Sequence, residues 1–123
     1  MEFDELSNRG IGCAIEVHRR LGPGLLESAC EQCLTHELNR NGIAFQLKQP
    51  LPVEYKDIRL DCGYRINILV EKQLIVELKS VEEISGIHAA QLLTHMKLAG
   101  VKIGLLRNCN VTKLKDFIKR FVL

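Results

Sequence analysis

A chain of 123 residues, 46% hydrophobic and 26% charged, has ordinary globular composition: enough for one domain over residues 1–123, too little for a second independent core, and unlike disordered or collagen-like sequences. Lys and Arg number 17 against 15 Asp and Glu, and a net charge of +2 does not by itself advertise a polyanionic partner. No apolar run approaches the roughly 20 residues of a membrane span, so no membrane partner is expected. The acidic start, Met1-Glu2-Phe3-Asp4-Glu5, has neither the basic nor the apolar region of a leader, which predicts a cytoplasmic protein. Five cysteines in that setting read as reduced thiols, at least one of them unpaired by arithmetic.

From Asn8 to Leu21, Ile11, Ala14, Ile15, His18 and Leu21 recur at helical steps, and Gly22-Pro23-Gly24 ends the segment. A second helix is predicted from Leu25 or Leu26 to Asn41-Gly42, with Leu26, Ala29, Cys30, Cys33, Leu34 and Leu38 as its apolar stripe and glycine as its left-handed stop. The period then changes. Ala44 to Lys48, Leu51 to Tyr55, Ile58 to Asp61, Tyr64 to Val70 and Leu74 to Lys79 read as short strands and hairpins, separated by prolines and by Lys56-Asp57, Gly63 and Glu71-Lys72-Gln73. Ile87 to Ala99 returns to helical spacing through Ile87, Ala90, Gln91, Leu93, Thr94 and Leu98, with Gly100 placed to stop it. Lys102 to Arg107 is a short apolar strand. A last helix, capped by Asn110 or Thr112, is predicted from the stripe Leu114, Phe117, Ile118, Phe121 and Val122, opposed by Lys113, Lys115, Lys119 and Arg120. The expected order is therefore ααββββαβα, an α/β (α+β) fold with a mixed central sheet flanked by helices, the late strand parallel to an earlier one.

Side-chain alternation puts Ile75, Glu77 and Lys79 on one face of their strand and Leu74, Val76 and Leu78 on the other. A three-residue loop at Glu71 to Gln73 pairs Val70 with Leu74 and sets Asn67 opposite Glu77, so that Asn67, Glu77 and Lys79 converge. A two-residue turn would slide Asn67 opposite Val76 and weaken that convergence.

An amide followed by Glu77-Leu78-Lys79 on a hairpin resembles the PD-(D/E)XK nuclease superfamily, where two acidic positions and a lysine occur as D, a gap of about ten, then E-x-K. The chain further resembles the GxxExxY family of that superfamily, through Ile15 to Arg19, Leu21-Gly22-Pro23-Gly24, Gly24-Leu25-Leu26-Glu27, Gly63-Tyr64-Arg65, Val76 to Ser80 and Ala90 to Thr94. The resemblance implies a nuclease-like fold and metal-dependent hydrolysis of DNA phosphodiesters, with Mg2+ or Mn2+ held by Glu27, Asn67 and Glu77. It implies that Lys79 positions the nucleophile or stabilises charge, and that Gln91 orients water or phosphate.

Two positions depart from the pattern: the tyrosine that names the family is Cys30, and the motif aspartate is Asn67. An amide offers an oxygen without a charge, and magnesium sites rely on one or two carboxylates, so weak or absent metal binding and cleavage are expected. Asp61 and Glu71 have the right parity to substitute but lie roughly 20 Å and 13 Å along an extended strand from position 67.

Each candidate also has an ordinary reading. Glu77 and Lys79 suit a half-exposed strand, Glu27 suits the positive end of a helix dipole, and Gln91 suits a helix surface. Cys30-Glu31-Gln32-Cys33 has CxxC spacing inside a helix, where core packing is the default. His18, His36, His88 and His95 form no ligand motif; His95 sits where the family often has tyrosine. Three functions remain in competition: a weakened nuclease, an inactive nucleic-acid-binding or protein-interaction module on the same fold, and a thiol-based redox or metal-binding protein. A homodimer through the first two helices is a further expectation.

Overall fold

The two most completely buried strands are β5 (Leu74–Lys79) and β6 (Ile103–Asn108), and they lie side by side in the middle of the sheet. Runs that are apolar at nearly every position suit strands covered on both faces. The computed structural model describes residues 3–112 and 117–123. In it β5 and β6 pair in parallel, Leu74 opposite Ile103 through Lys79 opposite Asn108, joined by the helix α3 (Gly86–Ala99). The antiparallel strands β1 (Phe45–Pro50), β4 (Arg65–Val70) and β7 (Ile118–Val122) complete a five-stranded mixed sheet in the order β1-β4-β5-β6-β7.

The sheet separates two apolar layers. Leu74, Val76, Leu78, Ile103 and Leu105 face α1 (Phe3–Leu21) and α2 (Glu27–Arg40), where Leu6, Ala14, Leu34 and Leu38 cover them. Ile75 and Leu106 face α3 and pack on Leu92 and Met96. Gly104 lets α3 sit down on β6: a Cβ there would stand 2.6 Å from Met96 Sδ. At the start of α3, Ser85 and His88 cap one another, and Gly100, in the left-handed region at φ 69°, closes its end as expected.

The helical stripes are rotated from their predicted positions. On α1 the buried residues are Leu6, Cys13, Ala14, Val17 and His18, while Leu21 is exposed. On α3 they are Leu92 and Met96, with Ile87 exposed. The reason is the glycine contact, which selects the face of α3 that a near-uniformly apolar helix does not declare.

The largest correction concerns the C-terminus. Ile118–Val122 is a strand, antiparallel to β6 with Ile103 opposite Val122 and Arg107 opposite Ile118, where a helix stripe was expected. A fully buried β6 needs partners for the backbone groups along its second edge, and Ile, Phe and Val suit a strand as well as a helix. Lys113, Leu114 and Lys115 of that predicted helix lie outside the described residues. The observed order is ααβββββαββ in place of ααββββαβα.

A separate ribbon, β2 (Val53–Tyr55) and β3 (Ile58–Leu60), projects between β1 and β4. Its turn uses Lys56 and Asp57 at positive φ, the geometry of a tight hairpin. Val53, Tyr55, Ile58 and Leu60 share one face and Glu54 pairs with Arg59 on the other, at 3.5 Å. Leu51, buried at its base, donates its N–H to Tyr64 O at 3.0 Å.

One polar side chain sits deep in the α1–α2 layer. Arg107 is 0% exposed, and its three guanidinium nitrogens have no hydrogen-bond partner among the described residues. Its nearest aromatic neighbour is Phe117, whose ring centroid is 5.8 Å away and which also touches the His18 ring at 5.1 Å. Burial pushes the Arg107 guanidinium down to about 10 from its usual 12.5. That difference corresponds to a destabilisation of about 3 kcal/mol at neutral pH, so Arg107→Met is expected to raise stability by a similar amount in urea unfolding.

Burial, and then the Arg107 charge, also lower the His18 pKa below 6.5. The folded state therefore resists protonation of His18, and its contribution is complete above pH 6.5 and lost as the pH falls through the lower folded value. The urea midpoint should drop more steeply between pH 7.5 and 5 in the natural protein than in His18→Phe.

Candidate functional site

The hairpin of β4 and β5 has the three-residue loop expected of it. Glu71 and Lys72 take positive φ, Gln73 N–H donates to Val70 O, and Val70 pairs with Leu74, Leu69 with Ile75 and Ile68 with Val76. Beyond that the ladder opens. Asn67 Oδ1 accepts the Leu78 N–H at 3.0 Å, so a side chain takes the place of a backbone carbonyl. The other flank of β4 is disturbed at the same place: the pairing with β1 skips Lys48 and Asn67, and Lys48 takes φ 49°. Ile66 and Ile68, two residues apart, consequently pack in opposite layers, which regular alternation forbids.

We call this break in the ladder the notch; Glu77, whose side chain meets α3, lies beside it. The Glu77 carboxylate is 4% exposed and receives a hydrogen bond from His95 Nδ1 on α3. The His95 ring in turn touches Tyr64 at a centroid distance of 5.8 Å. Lys79, half-buried, stands two residues further along the same face at the open end of β5.

Glu27 arrives from the opposite layer. As the first residue of α2 it extends its Oε1 to the Ser80 N–H at 3.2 Å, while Ser80 Oγ donates to Leu25 O at 3.1 Å. Two contacts thus fasten the start of α2 to the residue after Lys79. Asn108 secures the next one: its Oδ1 accepts the Val81 N–H and its Nδ2 donates to Val81 O.

Glu77, Lys79, Asn67 and Glu27 are therefore clustered around the last three residues of β5 and Ser80. Gln91 is exposed one turn before His95 on α3, and no hydrogen bond joins it to that cluster among the described residues. The alternatives to Asn67 are committed elsewhere: Asp61 accepts the Gly63 N–H, and Glu71 accepts the Ala44 N–H. Sequence reasoning missed the engagement of His95 with Glu77. Its signal was the four-residue step from Gln91, which places both on one stripe of α3.

The donor set does not fit a resident magnesium ion. Among the described residues no group of three His, Cys, Asp or Glu side chains is disposed to hold a metal. Asn67 has no charge and directs its oxygen at Leu78, Glu27 directs one oxygen at Ser80, and Glu77 is engaged by His95. A groove of about 850 Å³ lies on the other side of the sheet, between α1 and α2, where Arg9, Arg20, Arg40, Glu16 and Glu37 line it, apart from the notch.

With this geometry established, the comparison with protein families is informative: the family model of the PD-(D/E)XK nuclease superfamily matches residues 4–121. The chain belongs to that superfamily. Its mixed five-stranded sheet between helices is the superfamily's architecture, and nucleases of the superfamily generally use divalent metals. Neither the curated proteins nor the solved structures include a significant match. No described helix is long and apolar enough to cross a membrane.

Two cysteines differ from expectation. Cys30 on α2 and Cys109 after β6 form a disulfide with their Cα atoms 6.4 Å apart, while Cys13, Cys33 and Cys62 are free. A separation of 79 positions between the partners gives no local spacing that would announce the bond.

Removing His95 leaves the buried Glu77 carboxylate without its donor, so His95→Phe should cost about 1–3 kcal/mol in urea unfolding. A double-mutant cycle with Glu77→Leu should then show coupling of about 1 kcal/mol or more, because the apolar partner no longer needs the imidazole.

Proposed function

We propose that this chain is a nuclease-type domain, of the GxxExxY kind, that acts on DNA phosphodiesters with a weakened catalytic centre. The observation that carries the reading is the opening of the β4–β5 ladder at Asn67, beside Glu77 and next to Lys79 at the end of the strand. Lys79, half-buried at the end of the strand, offers an ammonium group to a phosphate, while Glu77 two residues earlier is buried and held by His95.

Glu27 supports the same reading. A helix that begins with a carboxylate fastened to the end of β5 brings a second acid to the same end of that strand, from the opposite layer of the fold. Lys79 would stabilise charge on the phosphate, and His95 would hold the Glu77 carboxylate in orientation through Nδ1. The deficit is electrostatic. Asn67 replaces a negative charge by a neutral amide, and a divalent ion gains much less from an amide oxygen than it loses in hydration.

An alternative reading is a nucleic-acid-binding or protein-interaction module without cleavage. It is favoured by the engagement of Asn67, Glu27 and Glu77 in internal hydrogen bonds, which a purely structural use of the notch would explain.

The test is nicking of supercoiled plasmid and of single-stranded DNA with Mg2+ or Mn2+, together with calorimetric titration of Mn2+. Asn67→Asp keeps the acceptor for Leu78 N–H and restores the charge, and is expected to bind Mn2+ about tenfold more tightly or better and to gain nicking that Glu77→Ala abolishes. If a folded Asn67→Asp gains neither, the weakened-centre reading fails. Salt-dependent DNA binding indifferent to chelator and to Glu77→Ala would then establish the module.

A further inference from the structure

The α1–α2 side of the sheet contains a second group of reactive side chains that the notch does not use. Cys30 and Cys33 lie three residues apart on α2, on one helical face, and Cys30 is bonded to Cys109. Helix geometry sets their Cα atoms about 5 Å apart, within the range of about 4.4–6.8 Å that a disulfide spans. Cys30 therefore has two sulfurs within its reach, Cys109 across the layer and Cys33 along its own helix.

Of these three cysteines, Cys33 is the free thiol and the one with access to solvent. Cys33 lines a groove of about 340 Å³ between α1 and α2, with Val17, Leu21, Gln32 and His36, whereas Cys30 and Cys109 are buried. Arg107 belongs to the same layer, over the ring of Phe117, which shares a cluster with Cys30 and Cys109. By strand alternation Arg107 points to the same side as Cys109, and its guanidinium is fully buried with every nitrogen unpartnered among the described residues. An unpaired cation in a core is costly, and an anion formed beside it is what would offset the cost.

We propose that Cys30, Cys33 and Cys109 form a thiol–disulfide exchange site, in which the bond migrates from Cys30–Cys109 to Cys30–Cys33 and Arg107 stabilises the charge passed between the sulfurs. The exchange balances internally. Cys33 loses its proton to solvent and its thiolate attacks Cys30 Sγ, the Cys30–Cys33 bond forms as the Cys30–Cys109 bond breaks, and Cys109 departs as a thiolate beside the guanidinium. No external oxidant or reductant is consumed. Migration frees α2 from the end of β6, where Cys109 N–H donates to Lys79 O at 2.7 Å. Any effect on the notch rests on the function proposed above; the exchange itself does not.

The experiment reads the position of the free thiol. Full-length protein purified without reductant is incubated at neutral pH, quenched in acid at intervals, labelled with a maleimide and digested with trypsin without reduction. Cys30 and Cys33 fall on peptide 21–40 and Cys109 on peptide 108–113, so the label distinguishes the two linkages. The expected result is label moving from Cys33 to Cys109 until both are populated. Arg107→Met should slow the movement about tenfold or more and Arg107→Lys should restore most of it. Label confined to Cys33 at all times, or movement at the natural rate in Arg107→Met, overturns the proposal.

Cys109→Ser supplies an independent arm that does not depend on the fold tolerating a change at Arg107. Treated with oxidised glutathione as the oxidant, it should close the internal Cys30–Cys33 bond, reducing the glutathione disulfide to two thiols. Two glutathione adducts in place of that bond would equally overturn the proposal.

Discussion

The hydrogen bond from Leu78 N–H to Asn67 Oδ1 is the constraint on which the candidate site depends. A central strand cannot leave a buried backbone donor unpaired, and β5 is covered on both faces by helices. Once the β4–β5 ladder separates after Ile68 and Val76, the donor of Leu78 has to be met by something other than a carbonyl of β4. A short amide side chain reaches it, and the separation is held open at a fixed width. Everything near the notch follows: Glu77 on the face toward α3, His95 against it, and Lys79 beyond it at the strand's end.

The same bond explains why an asparagine can persist where the superfamily pattern has an aspartate. The local architecture asks position 67 for a hydrogen-bond acceptor, which both side chains provide. Only the chemistry of a cation asks for charge. The two requirements can therefore separate, and the residues surrounding the notch remain assembled whichever side chain is present.

Legibility from sequence was uneven, for identifiable reasons. The β4–β5 hairpin was readable because loop length and alternation determine register together, and the strand Leu74 to Lys79 came out with its observed bounds. The C-terminal segment was misread because Ile118, Phe121 and Val122 satisfy a helical period as readily as a strand, and the open edge of β6 decides between them. The face of α3 was likewise decided by Gly104, distant in sequence from the residues that settle against it. At the candidate site, Glu77, Lys79 and Asn67 could be grouped from the hairpin alone, although Asn67 bonds the Leu78 N–H and does not pair with Glu77 as expected; Glu27 was tied to the site only by the family resemblance, and its bond to the Ser80 N–H was not foreseen. The pairing of His95 with Glu77 and the bond between Cys30 and Cys109 join residues from different elements, and no period within either element encodes them.

The β2–β3 ribbon has a consequence for dynamics. Two strands of three residues, open to water on both faces and anchored at Leu51, are marginal as an isolated unit. The ribbon can melt while the five-stranded sheet stays intact, so its amide protons should exchange through local opening and be insensitive to changes in global stability. The protein thus carries a segment whose order is decoupled from that of its core, next to the strand that forms one wall of the notch.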